Sequence, residues 1–520
     1  MSVDARRRRP GVLALLILCS TACLHRPSPN PDVLVVGVTS GPNNLDPRIG
    51  TDDVSGKASQ LIFNNLMTLD DHLRVAPDLA ERLDHPDPLT YVVSLRQGVR
   101  FHDGHELTSA DVVYTFRSLL DPALISPRKG AYRMVKAIDA RDRYTVVFTL
   151  QEPFGSFPVN LVLPIVPDGA GPSFREHPVG TGPYRFVRYA VDDQLELARF
   201  DEYFGGRPRN DGLVLKVVPD DIMRGLELRK GTMDIVVNDL APDIVYQLGR
   251  EPQLYLVESP GTDYQYVGLN LRDPVLTDRR VRHALAYAID RKAIIEYLRR
   301  GLATPAAGLL PTVSWAYAPD LVTFDFDPVK ARDLLDQAGY RDPDGAGPEP
   351  RFRLSLKVSN NEFNRLQSSV IQQNLQAVGI ALDVRTYEFA TLYADVLKGN
   401  FQLFTLQWVG GAVADPDILR RVFHSTQAPP AGFNRGFFSD PRVDQALDAA
   451  ALATDEAQRR ALYGDVQRLV ADAAPYISLW CKTNVAVAQR SLTGIRLLPT
   501  ADFAFLKDVA RRAPDRRAAR

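Results

Sequence analysis

The sequence predicts an α/β protein built as two lobes, and three observations carry that reading. The first is length: 520 residues are too many to gather round one apolar core. The second is the stretch 91–117, YVVSLRQGVRFHDGHELTSADVVYTFR, which reads as strand, tight turn and helix. The third is the order at 353–387, where a strand over 353–358, a helix over 363–378 and a strand over 379–387 follow one another. A β-α-β alternation of this kind implies parallel pairing within an α/β layer.

Within 91–117, Val92, Val93, Leu95 and Val99 are apolar residues of high β-propensity, and Gly98 with the His102-Asp103-Gly104 turn breaks the run. Thr108 then stands three residues before Asp111, a capping-box start. Val112, Thr115, Phe116 and Leu119 recur at helical spacing until Asp121-Pro122 ends the helix. Elsewhere, 33–38 reads as a first buried strand, 55–67 as helix, 141–150 as a strand and 264–270 as a strand of alternating residues. Thr277 is expected to cap a helix carrying Val281, Ala284, Leu285 and Ala288 inward. Asp290 is expected to cap the next, and Asp327-Pro328 to open a third that stops at Gly339. Residues 401–408 form a further buried strand, and 455–480 a long amphipathic helix followed by a strand.

Charge excludes some functions. Formal net charge is −1, so no global field recommends nucleic acid as a partner. Residues 6–9 are all Arg, 12–19 are apolar but too short to span a bilayer, and Ser20, Thr21 and Ala22 precede Cys23. That pattern resembles a bacterial lipoprotein cleavage box with Cys23 as the lipidated residue. Ser20 stands where the box most often has Leu, which leaves plain secretion with cleavage nearby open. Residues 24–32 read as a Pro-rich linker and 507–520 as a basic, disordered tail. Of three cysteines only Cys481 remains for the folded part, beside Trp480 in an apolar run, where it reads as a small core residue.

The residues assemble no enzyme. No HExxH, GxSxG or Walker string occurs. The GTGPYRF stretch at 180–186 lacks the Lys-Ser/Thr of a phosphate loop and the third Gly of a dinucleotide loop, and reads as the entry to a strand. His102 and His105 sit three apart in a turn with no third ligand nearby, and Asp342-Pro-Asp344-Gly345 lacks the closing Glu of a calcium loop. No metal and no cofactor are expected.

Several strings are similar to those of the large solute-binding proteins of ABC importers, solute-binding family 5, the peptide and nickel type. They are LRQGVRFHDGHELTSADVVYTF at 95–116, NLDP at 44–47, LIFNNLMTLD at 61–70 and PDLAERL at 77–83. DRRVRHALAYAIDRKAII at 278–295 and FDPVKARDLLDQAGY at 326–340 add to them. The resemblance implies a two-lobed periplasmic binding protein of type II, in the large cluster with an extra inserted subdomain and a ligand cleft between lobes. It divides the chain into a lobe I core (33–60, 179–265 and 477–506), an inserted subdomain (61–178) and lobe II (266–476). It also implies a monomer delivering a peptide or other polar solute to a permease and its ATPase, attached to the membrane by lipid alone. A sensory or chaperone-like binding protein on the same fold, or a hydrolase, are the competing readings.

Carried over by position, the ligand would meet Ser40 and Asn43 on a lobe I loop, Asn238, Tyr264 and Tyr266 on a cleft strand, and aromatic walls at Phe389, Trp408 and Trp480. Peptide binders of the family place Asp three residues after the matching Trp, where it takes the ligand's amine. Here Trp408 is followed at that distance by Gly411. Asp415 and Asp417 come later, in a DPD turn where N-capping is the expected role. The fold expectation survives that departure, and the peptide expectation loses its main charge-assisted contact.

Overall fold

The computed structural model describes residues 32–345, 347–410 and 414–512. Cys23 and Gly411 lie outside the described residues. Eleven strands make one mixed sheet. Its order runs Ile380–Tyr387, Phe352–Ser359, Leu403–Trp408, Leu254–Leu269, Tyr476–Gln489, Ile235–Val237, Val33–Val38, Gly212–Val217, Gln194–Arg199 and Tyr184–Ala190, with Ala303–Pro305 beside Tyr476–Gln489. Val33–Val38, VLVVGV, lies parallel to both neighbours, where burial on two faces suits an unbroken apolar run. Phe352–Ser359 is likewise parallel to Ile380–Tyr387, with helix Glu362–Gln376 between them in the chain.

Two strands join the halves. Leu254–Leu269 has 16 residues and Tyr476–Gln489 has 14, and they pair antiparallel. Strands of that length span about 50 Å, enough to belong to both lobes. One end packs into a core with Leu34, Val36, Ile235 and Ala488, and the other into a core with Leu285, Leu354, Ile371 and Leu479. Register shifts between Pro260 and Tyr264 and between Gln265 and Tyr266 interrupt the pairing between those ends. The stretch 264–270, expected to alternate, is buried almost throughout because both sheet faces are covered.

Before Tyr184, the chain builds a separate antiparallel sheet of Ala80–Asp87, Thr90–Leu95, Thr145–Leu150 and Val135–Asp142. Helix Ser109–Leu120 covers it, with the Phe116 ring edge-on to Phe148 at 5.0 Å and to Tyr132 at 5.4 Å. Asp111 accepts the Thr108 N–H at 2.8 Å, as its position in the sequence predicts, and also the Asp168 N–H at 2.9 Å. His102 ties this unit to the GTG segment. It accepts from the Gly180 N–H at 3.2 Å and donates to the Gly182 carbonyl at 3.0 Å, and burial pushes its pKa down to about 4. A Cβ at Gly180 would stand 2.0 Å from the Ile62 carbonyl oxygen, so the glycines of 180–182 serve close packing.

Four expectations need correction. Helix 55–67 is Asp53–Ile62, because the Gly182 N–H takes the Ile62 carbonyl and Phe63 turns extended. Strand 141–150 is a hairpin, because the Asp142 carboxylate accepts the Tyr144 N–H at 2.9 Å and folds the chain there. Asp278, not Thr277, caps the helix Arg279–Ala288, and the Thr277 hydroxyl instead donates to the Leu271 and Asp273 carbonyls. Residues 507–512 are ordered: Ala510–Arg511 pairs with Leu492–Thr493, and Arg511 reaches Asp234 at 2.7 Å.

The inserted unit docks on the second lobe. The Gly155 N–H donates to the Ala451 carbonyl at 2.8 Å, and a Cβ at Gly155 would stand 2.0 Å from the Ala453 carbonyl oxygen. The Ser156 hydroxyl donates to Asp415 Oδ1 at 2.8 Å and accepts from Arg459 Nη2 at 2.5 Å. Asp417 meets the Tyr463 hydroxyl at 3.5 Å. Neither Asp puts its carboxylate on a helix-capping N–H of Ile418–Phe423.

A Cβ at Gly268 would lie 2.2 Å from Cζ of the fully buried Phe404, so Gly268→Ala should destabilise by about 1–3 kcal/mol in urea unfolding. An unchanged midpoint would refute the account of that contact. Burial, then the charge of Asp415, pushes Asp417 up to about 7 from 3.8, against Arg420 and Arg459. The protonated form is therefore favoured by folding. Its stabilisation is full below about pH 4 and is lost as pH rises through about 7. The melting temperature should fall between pH 5 and pH 8, and Asp417→Asn should flatten that fall; an equal slope in the variant removes Asp417 as its source.

Candidate functional site

A hollow of about 740 Å³ opens between the inserted unit and the second lobe. The inserted side contributes Arg128, Tyr132, Ser156 and Asn160, and the second lobe Asp415, Asp417, Ile418 and Arg421. Each side is held by its own backbone contacts. Arg128 donates to the Pro47 carbonyl at 3.1 Å and to the Gly50 carbonyl at 3.2 Å, with burial lowering its pKa. The Tyr132 hydroxyl donates to the Asn160 carbonyl at 2.8 Å. Opposite, the Asp417 N–H donates to Asp415 Oδ1 at 2.8 Å, which shapes the DPD turn and starts Ile418–Phe423. Burial also raises the pKa of Asp415, although Arg459 pulls the other way.

From this hollow a row of cations and rings runs inward. The Arg421 guanidinium lies 4.6 Å from the Phe433 ring centroid, and Phe433 stands edge-on to Trp408 at 5.3 Å. Arg435 lies 5.1 Å from the Trp408 ring and 5.2 Å from that of Tyr393. Its two terminal nitrogens donate to the Tyr266 hydroxyl at 3.0 Å and the Tyr393 hydroxyl at 3.1 Å. Phe389 stacks on Tyr393 at 5.9 Å and is 55% exposed.

The residues expected at the site scatter. Trp408, Tyr266 and Phe389 belong to this row. Ser40 and Asn43 are exposed on the loop after the first strand. Asn238, at φ +63°, spends its amide on the return strand: Oδ1 accepts the Val485 N–H at 2.9 Å, and Nδ2 donates to Asn484 at 3.0 Å. Tyr264 is core rather than cleft surface, stacked on Tyr266 at 5.6 Å with its hydroxyl 2.7 Å from Ser478 Oγ. Trp480 is core as well, only 1% exposed, because the return strand turns it under Phe363 and Arg299. Burial pushes the Cys481 thiol up to about 12, which leaves it a poor nucleophile.

Where the lobes meet, charges are matched. Asp263 accepts from Gln407 Nε2 and from the Gly410 N–H, both at 2.8 Å. Burial lowers the pKa of Lys482, opposed by Asp263 and Asp239. Burial raises Asp239, whose carboxylate lies 3.7 Å from Lys57. Sequence reading missed Ser156, Arg421, Arg435 and Arg459. Arg435 had one local signal, a cation set among aromatics in GFNRGFF at 432–438. The others become site residues only once separated segments meet.

The hollow, paired carboxylates and guanidinium groups suit capture of a polar solute carrying both signs of charge. Comparison with known proteins agrees in class. The sequence pattern of bacterial extracellular solute-binding proteins, family 5, matches residues 74–430. The glutathione-binding protein GsiB of Pectobacterium atrosepticum is 32% identical over 486 residues, covering 91% of this chain and 93% of its own. Among solved structures, the oligopeptide-binding protein AppA of Bacillus subtilis, in complex with a nonapeptide, superposes with a TM-score of 0.74 at 27% identity. That match covers 92% of this chain and 99% of AppA. The ABC transporter substrate-binding protein CtaP of Listeria monocytogenes gives a TM-score of 0.82 at 25% identity, over 92% of this chain and 99% of its own. No helix among the described residues is long and apolar enough to cross a membrane. Two α/β lobes joined by two long strands, with this match along the chain, mean that the protein belongs to the bacterial extracellular solute-binding proteins of family 5.

Proposed function

We propose that the protein captures short peptides or a peptide-like zwitterion of the glutathione class outside the cytoplasm and delivers it to an ABC permease. The observation that carries this reading is the hollow in which Asp417 and Arg421 face one space between the inserted unit and the second lobe. An ammonium group on the carboxylate and a carboxylate on the guanidinium would satisfy both. The relatives named for glutathione and oligopeptide binding support that class. Closure would turn on the two long strands, where broken register makes the ribbon easiest to bend. The division proposed is 33–60, 179–265 and 477–506 as one lobe core, 61–178 as insert and 266–476 as the second lobe; separate apolar clusters support three units, with Leu61, Ile62, Phe63 and Phe174 packing on the first lobe and Ile477, Leu479 and Trp480 on the second. Attachment through lipid on Cys23, and a monomeric receptor, complete the proposal.

Calorimetry with glutathione and with di- to tetrapeptides tests it. We expect saturable binding by at least one of them, weakened about tenfold or more by Asp417→Asn and by Arg421→Gln, about 1.4 kcal/mol each. Absence of binding by all these solutes would end the peptide-class reading. Expressed with its leader, the protein should fractionate with membranes, and Cys23→Ser should release it; a soluble wild type would exclude the anchor.

A further inference from the structure

We infer that Arg435 and Trp408 form a receptor for a carboxylate of the captured solute, an assignment that rests on the proposed peptide-like class and adds the residues that read it. Arg435 is 5% exposed and Trp408 is 8% exposed. Among the described residues, Arg435 Nε and Trp408 Nε1 both lack a hydrogen-bond partner. The two side chains are neighbours, the guanidinium carbon lying 5.1 Å from the centroid of the indole ring. Each is a buried N–H without a protein acceptor, a costly state for a donor.

The charge is unmatched as well. Among the described residues, the polar groups that act most on the guanidinium are the hydroxyls of Tyr266, Tyr393 and Tyr476, and no ion pair joins it to a carboxylate. Rings of Trp408, Phe433 and Tyr393 lie within 5.2 Å and return part of the lost solvation through their π faces. A buried guanidinium ordinarily has an anion beside it. Water at the two donors would supply acceptors but no charge. A carboxylate supplies two oxygens and the missing charge together, in the planar geometry a guanidinium favours.

The place suits a solute group. Trp408 ends its strand, and Phe433 links this corner to Arg421 on the hollow. Tyr393 and exposed Phe389 connect it to solvent. A solute whose ammonium group sits on Asp417 and whose first carboxylate sits on Arg421 would then direct its second carboxylate along the row to Arg435.

The test uses the mature full chain labelled with 15N-tryptophan. It has three Trp residues, and the Trp408 indole signal is the one missing from Trp408→Phe. Sodium acetate, sodium chloride at equal ionic strength, glutathione and glutathione diethyl ester are titrated in turn, with calorimetry alongside. We expect acetate and glutathione to move the Trp408 indole signal and chloride to leave it. Glutathione should bind about tenfold or more tighter than its ester, a preference that Arg435→Gln abolishes and Arg435→Lys keeps in part. If glutathione binds while the Trp408 signal stays still, the receptor assignment falls and the solute class stands. If acetate moves the signal but neither glutathione nor any peptide binds, the receptor stands and the solute class falls. If no probe moves the signal and none binds, both fall. Should Arg435→Gln fail to fold, the acid-to-ester preference of the wild type and of Arg435→Lys decides.

Discussion

The two-lobed architecture depends on one antiparallel pairing, Leu254–Leu269 against Tyr476–Gln489. Each strand contributes one end to each lobe core, so neither lobe can form fully before the ribbon does. The pairing is also long-range, joining segments more than 200 residues apart, which makes its closure entropy a large part of what folding must offset. Where the strands pass between cores, the register slips and the ladder loses hydrogen bonds. In the proposed closure, bending would fall on the few residues around Pro260 and Tyr264 where the register is broken.

The same geometry explains why some of the fold was legible in the sequence and some was not. Local signals transferred well. Thr108 and Asp111, Asp290, Asp327-Pro328 and Gly339 do at their helix ends what residues of their types do anywhere. The β-α-β order at 352–387 was equally visible, because its periodicities are long and clean. Misreadings arose where a neighbour distant in sequence intervened. Helix Asp53–Ile62 ends early because Gly182 claims the Ile62 carbonyl, and no pattern near Ile62 announces Gly182. Trp480 and Tyr264 looked like ligand walls because aromatic residues on a crossing strand can face either way. Packing on both faces of the sheet, invisible in a local window, turned them into core.

The site was legible as a region more than as a residue set. The stretch after Trp408, singled out in the sequence, lies on the hollow at Asp415, Asp417 and Arg421, and the partners of those side chains were not foreseen. Asp415 and Asp417 have the sequence context of helix caps, yet the cap position carries no side-chain hydrogen bond. Asp415 instead takes the Asp417 N–H, one residue before the helix, together with the Ser156 hydroxyl, while Arg459 stands beside it in a buried seam. Ser156 comes from the inserted unit, 259 residues away, and only the docking of that unit creates the contact.

The altered charge around Trp408 bears on what the cleft can select. The family resemblance implies a carboxylate close after this tryptophan for reading a peptide amine; this chain has Gly411 there and sets Arg435 against the indole face. Reversing the sign of a buried group changes selectivity more than removing it, because a cation both attracts anions and repels ammonium groups in a low-dielectric setting. Acceptance of an amine then has to move elsewhere, and Asp417, its charge disfavoured by burial and by Asp415, is the group that a cation would relieve. An ammonium group there would lower the carboxyl pKa and bring the acid into its charged form on binding, so capture at that position would release a proton near neutral pH. In the proposed binding mode, the polarity of the cleft, amine towards the inserted unit and acid towards Arg421 and Arg435, would follow from where these charged groups sit.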